Sequence, residues 1–265
     1  MSLYVFPSNE DPGPNFTDLL RRTSAGSLPD LSGELSSPHG TTIVALRYAG
    51  GVIMAGDRRA TEGVTIAYRN MEKVFPADRF SAVAIAGAAG PAVEMVKLFQ
   101  TQLEHYEKVE GSALTLEGKA NQLSQMIRSN MPMAMQGLAV VPLFAGWDQR
   151  RGTGRIFSFD ITGGRYEETD FATTGSGGRN AKTTIKLGFR DDLSRDDGVE
   201  LAVDALYQAA DEDAATGGPD PLRGIYPIIA TVDATGFTRL AEQEVAERFA
   251  AVLARGGRPG GSYRS

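Results

Sequence analysis

The chain has 265 residues, 42% of them hydrophobic and 23% charged, which is enough for one large domain or two small ones with a real core. Its formal net charge of −6 argues against a general nucleic-acid binder, which needs a basic face. It has no cysteine and only two histidines, His39 and His105, so thiol catalysis, disulfides and cysteine-ligated zinc are excluded and no metal or other cofactor is expected. No stretch approaches the ~20 apolar residues of a membrane span. The N-terminus M-S-L-Y-V-F-P has no basic segment and no sustained apolar run, so it is not a secretory signal. The expectation is a cytoplasmic protein with no membrane and no nucleic-acid partner.

Residues 1–40 carry Pro7, Pro12, Pro14, Pro29 and Pro38 among many Ser and Gly, and read as a flexible leader with one short periodic segment, Phe16 to Arg22. At Gly40-Thr41 the pattern changes. T-T-I-V-A-L-R-Y predicts a half-buried strand over Thr42–Tyr48, Gly50-Gly51 a tight turn, and Val52–Ala55 the second arm of a hairpin. Phe80–Ala86 predicts another strand, broken by Gly87. Pro91 opens a helix to about Lys108, with Val93, Val96, Phe99, Leu103 and Tyr106 at helical spacing and Gly111 as its stop. Thr115 is a suitable N-cap for a second helix carrying Leu116, Ala120, Leu123, Ile127 and Met131 on one stripe.

Strands return at Val140–Trp147 and Arg155–Phe159, then over Arg165–Thr174 beyond a turn at Gly163-Gly164. Helices follow at Lys182–Leu187 and Asp197–Ala210, a strand at Tyr226–Val232, a turn at Thr235-Gly236, and a last helix at Glu242–Ala254. Residues 41–255 then form one domain, and 256–265 a flexible tail. Hairpins separated by pairs of helices argue against a doubly wound parallel sheet and for antiparallel sheets covered by helices, a layered α+β sandwich.

Gly40-Thr41 is a candidate self-cleavage junction. Cleavage there would give Thr41 a free α-amine beside its own hydroxyl, one route to activating a weak nucleophile. Four further motifs bear on it. Gly56-Asp57-Arg58-Arg59 puts a carboxylate at the end of the second strand. Lys73, in N-M-E-K-V-F, would favour an alkoxide if tucked beside a hydroxyl. Ala86-Gly87-Ala88-Ala89-Gly90 is a turn of small residues whose N–H groups could face an oxyanion. Gly175-Ser176-Gly177-Gly178 and Asp213-Ala214-Ala215-Thr216-Gly217-Gly218 are glycine-rich loops without the lysine of a phosphate-binding loop. A Ser-His-Asp triad could use only His105 once the leader is gone, and His105 reads as a helix-surface residue.

In this order and spacing, T-T-I-V-A-L-R-Y-A-G-G-V-I-M-A-G-D-R-R-A-T, M-E-K-V-F, A-I-A-G-A-A-G, T-G-S-G-G and D-A-A-T-G-G-P-D closely resemble proteasome β subunits over residues 41–255. H-Y-E-K-V-E-G and A-T-G-G-P-D-P-L-R-G-I-Y are most like the actinobacterial 20S type. The resemblance implies an N-terminal-nucleophile hydrolase fold, a four-layer αββα sandwich of two antiparallel sheets. It implies Thr41 as nucleophile, Asp57 and Lys73 beside it, Gly87 as oxyanion donor, and Ser176, Asp213 and Thr216 as the outer group around the threonine amine. Gly178 and Thr216 stand where serine is commoner.

The resemblance further implies substrate contacts at Ala60, Thr61, Met71, Phe75, Ile85, Ala89 and Val93. With no charge among them and small Ala60 and Ala89, a roomy apolar pocket and a chymotrypsin-like preference are expected. The implied partners are a homo-heptameric β ring, α-subunit rings, an ATPase unfoldase ring and unfolded, pupylated substrates. Two alternatives are an HslV-type protease, which lacks a long leader and the D-x-x-T-G-G-P-D stretch, and a catalytically silent ring subunit, which tends to lose Gly-Thr, the aspartate or the lysine.

Overall fold

The computed structural model describes residues 40–63 and 65–254; the expected leader up to His39, with its short periodic segment, and the expected tail lie outside them. One five-stranded antiparallel sheet has the order β10-β1-β2-β11-β12, built from β1 (Thr42–Tyr48), β2 (Gly51–Gly56), β10 (Phe171–Gly175), β11 (Ile228–Asp233) and β12 (Gly236–Arg239). The other runs β5-β6-β7-β8-β9, from β5 (Val74–Asp78), β6 (Ser81–Gly87), β7 (Val140–Asp148), β8 (Thr153–Phe159) and β9 (Arg165–Glu168). A small hairpin, β3 (Ala60–Glu62) and β4 (Thr65–Tyr68), stands apart.

The helices are α1 (Ala89–Glu110), α2 (Leu116–Ser129), the single turn α3 (Met131–Ala134), α4 (Gly178–Gly188), α5 (Arg195–Glu212) and α6 (Glu242–Ala254). Val44, Leu46, Ile53 and Ala55 of the first sheet pack under α4, α5 and α6 with Ile185, Leu206 and Phe249. Val83, Ile85, Phe144 and Phe157 of the second pack under α1 and α2 with Phe99 and Leu123. Between the sheets lie Ile43, Ala45, Val52, Met54, Ala82, Ala84, Leu143 and Ile156. This is the four-layer αββα sandwich of the expected class.

Alternation in β1 therefore has a different meaning from a half-buried strand. Ile43 and Ala45 face the other sheet, Val44 and Leu46 face helices, and all four are fully buried. A strand in an inner layer is apolar on both faces because neither meets water. The predicted single strand Arg165–Thr174 is two strands in different sheets, β9 against β8 and β10 against β1. The β3–β4 hairpin and β12 have no counterpart in the sequence reading.

Local chemistry sets the helix ends. Thr115 Oγ1 accepts from Gly118 N at 3.0 Å and caps α2. Pro91 falls in the first turn of α1, where a missing N–H costs nothing. Met131 begins α3 and does not continue the α2 stripe, and Tyr106 is 38% exposed on α1.

The register brings several chain ends to one end of the sandwich. Thr42 pairs with Gly175 and Ile43 with Gly56. The residues just beyond these ends are Thr41, Ser176 and Asp57. In the second sheet, Ile85 N donates to Lys73 O and β6 ends at Gly87.

Candidate active site

Thr41 is 4% exposed, at the head of β1. Its Oγ1 donates to the carbonyl oxygen of Gly40 at 2.7 Å. Lys73 Nζ lies 3.5 Å from that same oxygen. The ammonium also donates to Asp57 Oδ1 at 2.7 Å and to the Arg59 carbonyl at 2.5 Å. Lys73 and Asp57 are 1% and 0% exposed. Burial pushes the Lys73 ammonium below its usual pKa, and the adjacent Asp57 carboxylate opposes that shift.

Asp57 is held from four directions. Its Oδ1 also accepts from Thr42 N at 2.8 Å, and its Oδ2 accepts from Arg59 N at 2.9 Å and Gly217 N at 2.8 Å. Both oxygens of this buried carboxylate are therefore satisfied by donors.

On the other side of Thr41 the groups are mostly hydroxyls. Thr41 N donates to Ser176 Oγ at 3.2 Å, and Ser176 Oγ donates to Asp213 Oδ2 at 2.5 Å. Thr216 Oγ1 also donates to Asp213 Oδ2, at 2.6 Å, and stands 2.6 Å from Thr42 Oγ1. Ser176 is exposed, whereas Thr216 is fully buried.

Two glycines are required by geometry. Gly87 has φ +106°, and a side chain there would put Cβ 2.1 Å from the Ala139 carbonyl oxygen. At Gly40 a Cβ would fall 1.8 Å from that of Ala215. Any larger residue before Thr41 therefore displaces the Asp213–Thr216 turn.

A cavity of about 10 Å³ is lined by Gly40, Thr41, Ala60, Met71, Lys73, Ile85, Gly87, Ala89 and the unanticipated Ala92. Phe75 and Val93 are not on its wall; they pack, half-buried, in the α1–α2 core. The cavity is tight, not roomy, because Gly40 itself and the buried Lys73 help to close it. Thr61 instead faces the chain before the junction, its Oγ1 accepting from Gly40 N at 2.9 Å. With Gly87, Ile161, Ser176 and Ala215 it also lines an open cavity of about 510 Å³.

Several participants were missed. Arg59 binds both members of the ion pair through its backbone and reaches the Ala214 carbonyl with Nη1 at 2.8 Å. Thr42 joins Asp57 to Thr216. Both sit inside motifs quoted from the sequence, but their roles depend on chain crossings that adjacency does not reveal. His105 is exposed on α1, while His39 lies outside the described residues. Among the described residues no cluster of His, Cys, Asp or Glu is placed to hold a metal, and no helix is long and apolar enough to cross a membrane.

The fold and this constellation define a hydrolase class in which a threonine at a strand head meets a buried lysine. The proteasome subunit family model matches residues 37–220. The chain is 62% identical over 250 residues to a proteasome subunit beta of Acidimicrobium ferrooxidans, covering 93% of this chain and 92% of that one. It is 60% identical over 229 residues to the Streptomyces griseus proteasome subunit beta, covering 86% and 82%. For that of Acidothermus cellulolyticus it is 58% over 247 residues, covering 91% and 83%. The chain belongs to the proteasome family, as a β-type subunit and a threonine protease.

Proposed function

We propose that the chain is the catalytic β subunit of a 20S core, made as a precursor that cuts its own Gly40–Thr41 bond and then hydrolyses peptide bonds with Thr41. The supporting observation is the shared oxygen: the Thr41 hydroxyl and the Lys73 ammonium both address the Gly40 carbonyl. In processing, Thr41 Oγ adds to that carbonyl carbon and the C–N bond breaks. The resulting ester is hydrolysed by water, which releases residues 1–40 and frees the Thr41 amine. In turnover the amine takes the proton of Oγ, Oγ attacks the substrate carbonyl, and the departing amine takes the proton. Water then hydrolyses the acyl-enzyme ester. Lys73 acts through its charge on the developing oxyanion, not as proton acceptor, because Asp57 holds it as an ammonium. Gly87, which lines the cavity beside Thr41, is the proposed backbone N–H donor to that oxyanion.

The preference proposed is chymotrypsin-like. Ala60, Met71, Ile85 and Ala89 offer apolar contact, and the charged group on the wall, Lys73, is already paired with Asp57, so a buried Arg or Glu gains no free counter-charge. Release of Gly40 vacates one wall, and Met71 adapts to different side chains. The proposed assembly is a seven-fold β ring between α rings, fed with unfolded, pupylated protein by an ATPase. Mass spectrometry of assembled particles tests the core of this reading. Wild type should begin at Thr41, and Thr41→Ala should retain the leader and show no peptidase activity while staying folded. A different mature N-terminus, or activity in Thr41→Ala, removes Thr41 as nucleophile. Fluorogenic peptides ending in Tyr, Leu, Arg or Glu test the preference, with apolar residues favoured by roughly tenfold or more.

A further inference from the structure

Behind Asp57, on the side away from Thr41, the Gly217–Pro227 segment and the Arg58-Arg59 turn enclose a second cavity of about 30 Å³. On the same scale about 10–15 Å³ admits one water, so there is room for a small ion or the head of a carboxylate. Its wall includes Arg58, Arg59 and Arg69, with Asp220, Gly217 and Tyr226. Three arginines and one aspartate line it, although the Arg59 guanidinium also donates to the Ala214 carbonyl. That carboxylate is already engaged: Asp220 Oδ2 takes Arg223 Nη1 at 2.6 Å and Oδ1 takes Arg223 N at 3.2 Å. The nearby Asp57 is engaged as well, by Lys73 and three backbone N–H groups.

Arg58 supplies an independent observation. It is 8% exposed, yet its Nε has no hydrogen-bond partner. Its Nη1 reaches Glu242 at 2.9 Å, but Glu242 is 61% exposed and sits on α6, away from the cavity wall. A buried guanidinium N–H without an acceptor is costly, and an anion is the ligand that offsets both its hydrogen bond and its charge.

We infer that this cavity is a binding site for a small monovalent anion, a halide or a carboxylate head. The carboxylate would come from a free ion or from a neighbouring copy of this chain. The site touches the catalytic group through the backbone. Gly217 and Arg59 line the cavity and also donate their N–H groups to Asp57 Oδ2. Occupancy would hold those donors, and with them Asp57, in place.

The test uses the full chain, thermally unfolded at constant ionic strength while sodium isethionate, whose sulfonate head is too broad for the cavity, is exchanged for sodium bromide or acetate. The expected result is a saturable rise in melting temperature of a few degrees with millimolar anion. Arg58→Gln should remove that rise. Arg69→Gln, at an exposed rim position that leaves the fold intact, should weaken the apparent anion affinity by threefold or more. Crystals in bromide should show an anomalous peak within the cavity lined by Arg58, Arg59 and Arg69. Repeating the titration on assembled rings separates the sources: a dependence that persists means a free anion, and one lost on assembly means a neighbour's carboxylate. A melting temperature indifferent to bromide and acetate in the isolated chain, or an unchanged response in both variants, overturns the inference.

Discussion

The two sides of Thr41 are built on opposite principles. The inner side is a sealed ion pair, Lys73 and Asp57, with almost no solvent exposure and a full set of N–H donors. The outer side is a hydrogen-bonded chain from Ser176 through Asp213 to Thr216, which starts at an exposed serine. A charge removed from a dry site leaves its partner buried and uncompensated, whereas a hydroxyl lost at a wet edge is replaced by water. The difference teaches where the sensitivity of the site should lie: inner changes are severe and outer ones graded.

The largest effect within this comparison should come from Lys73→Ala. Loss of a charge placed on a developing oxyanion costs roughly 10²–10³ in turnover, and processing should fail with it. Retention of more than about a tenth of wild-type activity, only ~1.4 kcal/mol, would refute the electrostatic role. Next is Asp57→Asn, which keeps the shape but removes the charge that raises the Lys73 pKa. The role proposed for Lys73 requires its ammonium form, so activity should decline as pH rises through its folded pKa, which burial places below the usual 10.5. In Asp57→Asn that alkaline limb should move to lower pH, with roughly tenfold less activity near neutrality and partial recovery on the acid side. A pH–rate profile with an unmoved alkaline limb would show that the limb belongs to another group.

Ser176→Ala should cost about fivefold in kcat, the worth of one hydrogen bond of ~1 kcal/mol, with little change in KM. A loss as large as that of Lys73→Ala would abolish the distinction between the two sides.

The smallest effect lies at the far end of the second sheet. There Arg155 donates to both oxygens of Glu167 at 2.6 Å and to Asp148 at 2.9 Å. Arg155 holds the Glu167 carboxyl below its usual 4.5, against a smaller opposing effect of burial. A folded pKa below the unfolded one means stability that is full above pH 4.5 and lost as pH falls through the folded value. Arg155→Met should flatten this acid-side decline in melting temperature and leave peptidase activity at neutral pH nearly intact. An acid slope identical to wild type would show that the network carries no linkage.

The candidate chemistry was legible because it sits at element ends, where sequence is most explicit. Gly40-Thr41, Gly56-Asp57, Lys73 and Ser176 each flank a strand or glycine turn that periodicity and turn residues reveal. The β1–β2 hairpin, the Thr115 cap and the last helix were readable for the same local reasons. Less legible were features that depend on what lies across a layer. Val44 and Ile43 look alike in sequence, and only the stacking of sheet on sheet and sheet on helix decides that both faces of β1 are dry. Arg165–Thr174 reads as one extended run, but it divides because the chain crosses from one sheet to the other at Thr169-Asp170.

By itself, the sequence determined most of the long strands and helices and the antiparallel α+β class, and it supplied the candidate residues around Thr41. All of these rest on interactions between near neighbours in the chain. Only the tertiary structure decided that the Arg59 backbone clamps the ion pair and that Ala215 forbids a side chain at Gly40. It also decided that the pocket wall omits Phe75 and Val93. These outcomes depend on close approach between segments up to 175 residues apart (Gly40 and Ala215), which is set by packing of the whole sandwich and not by local preference.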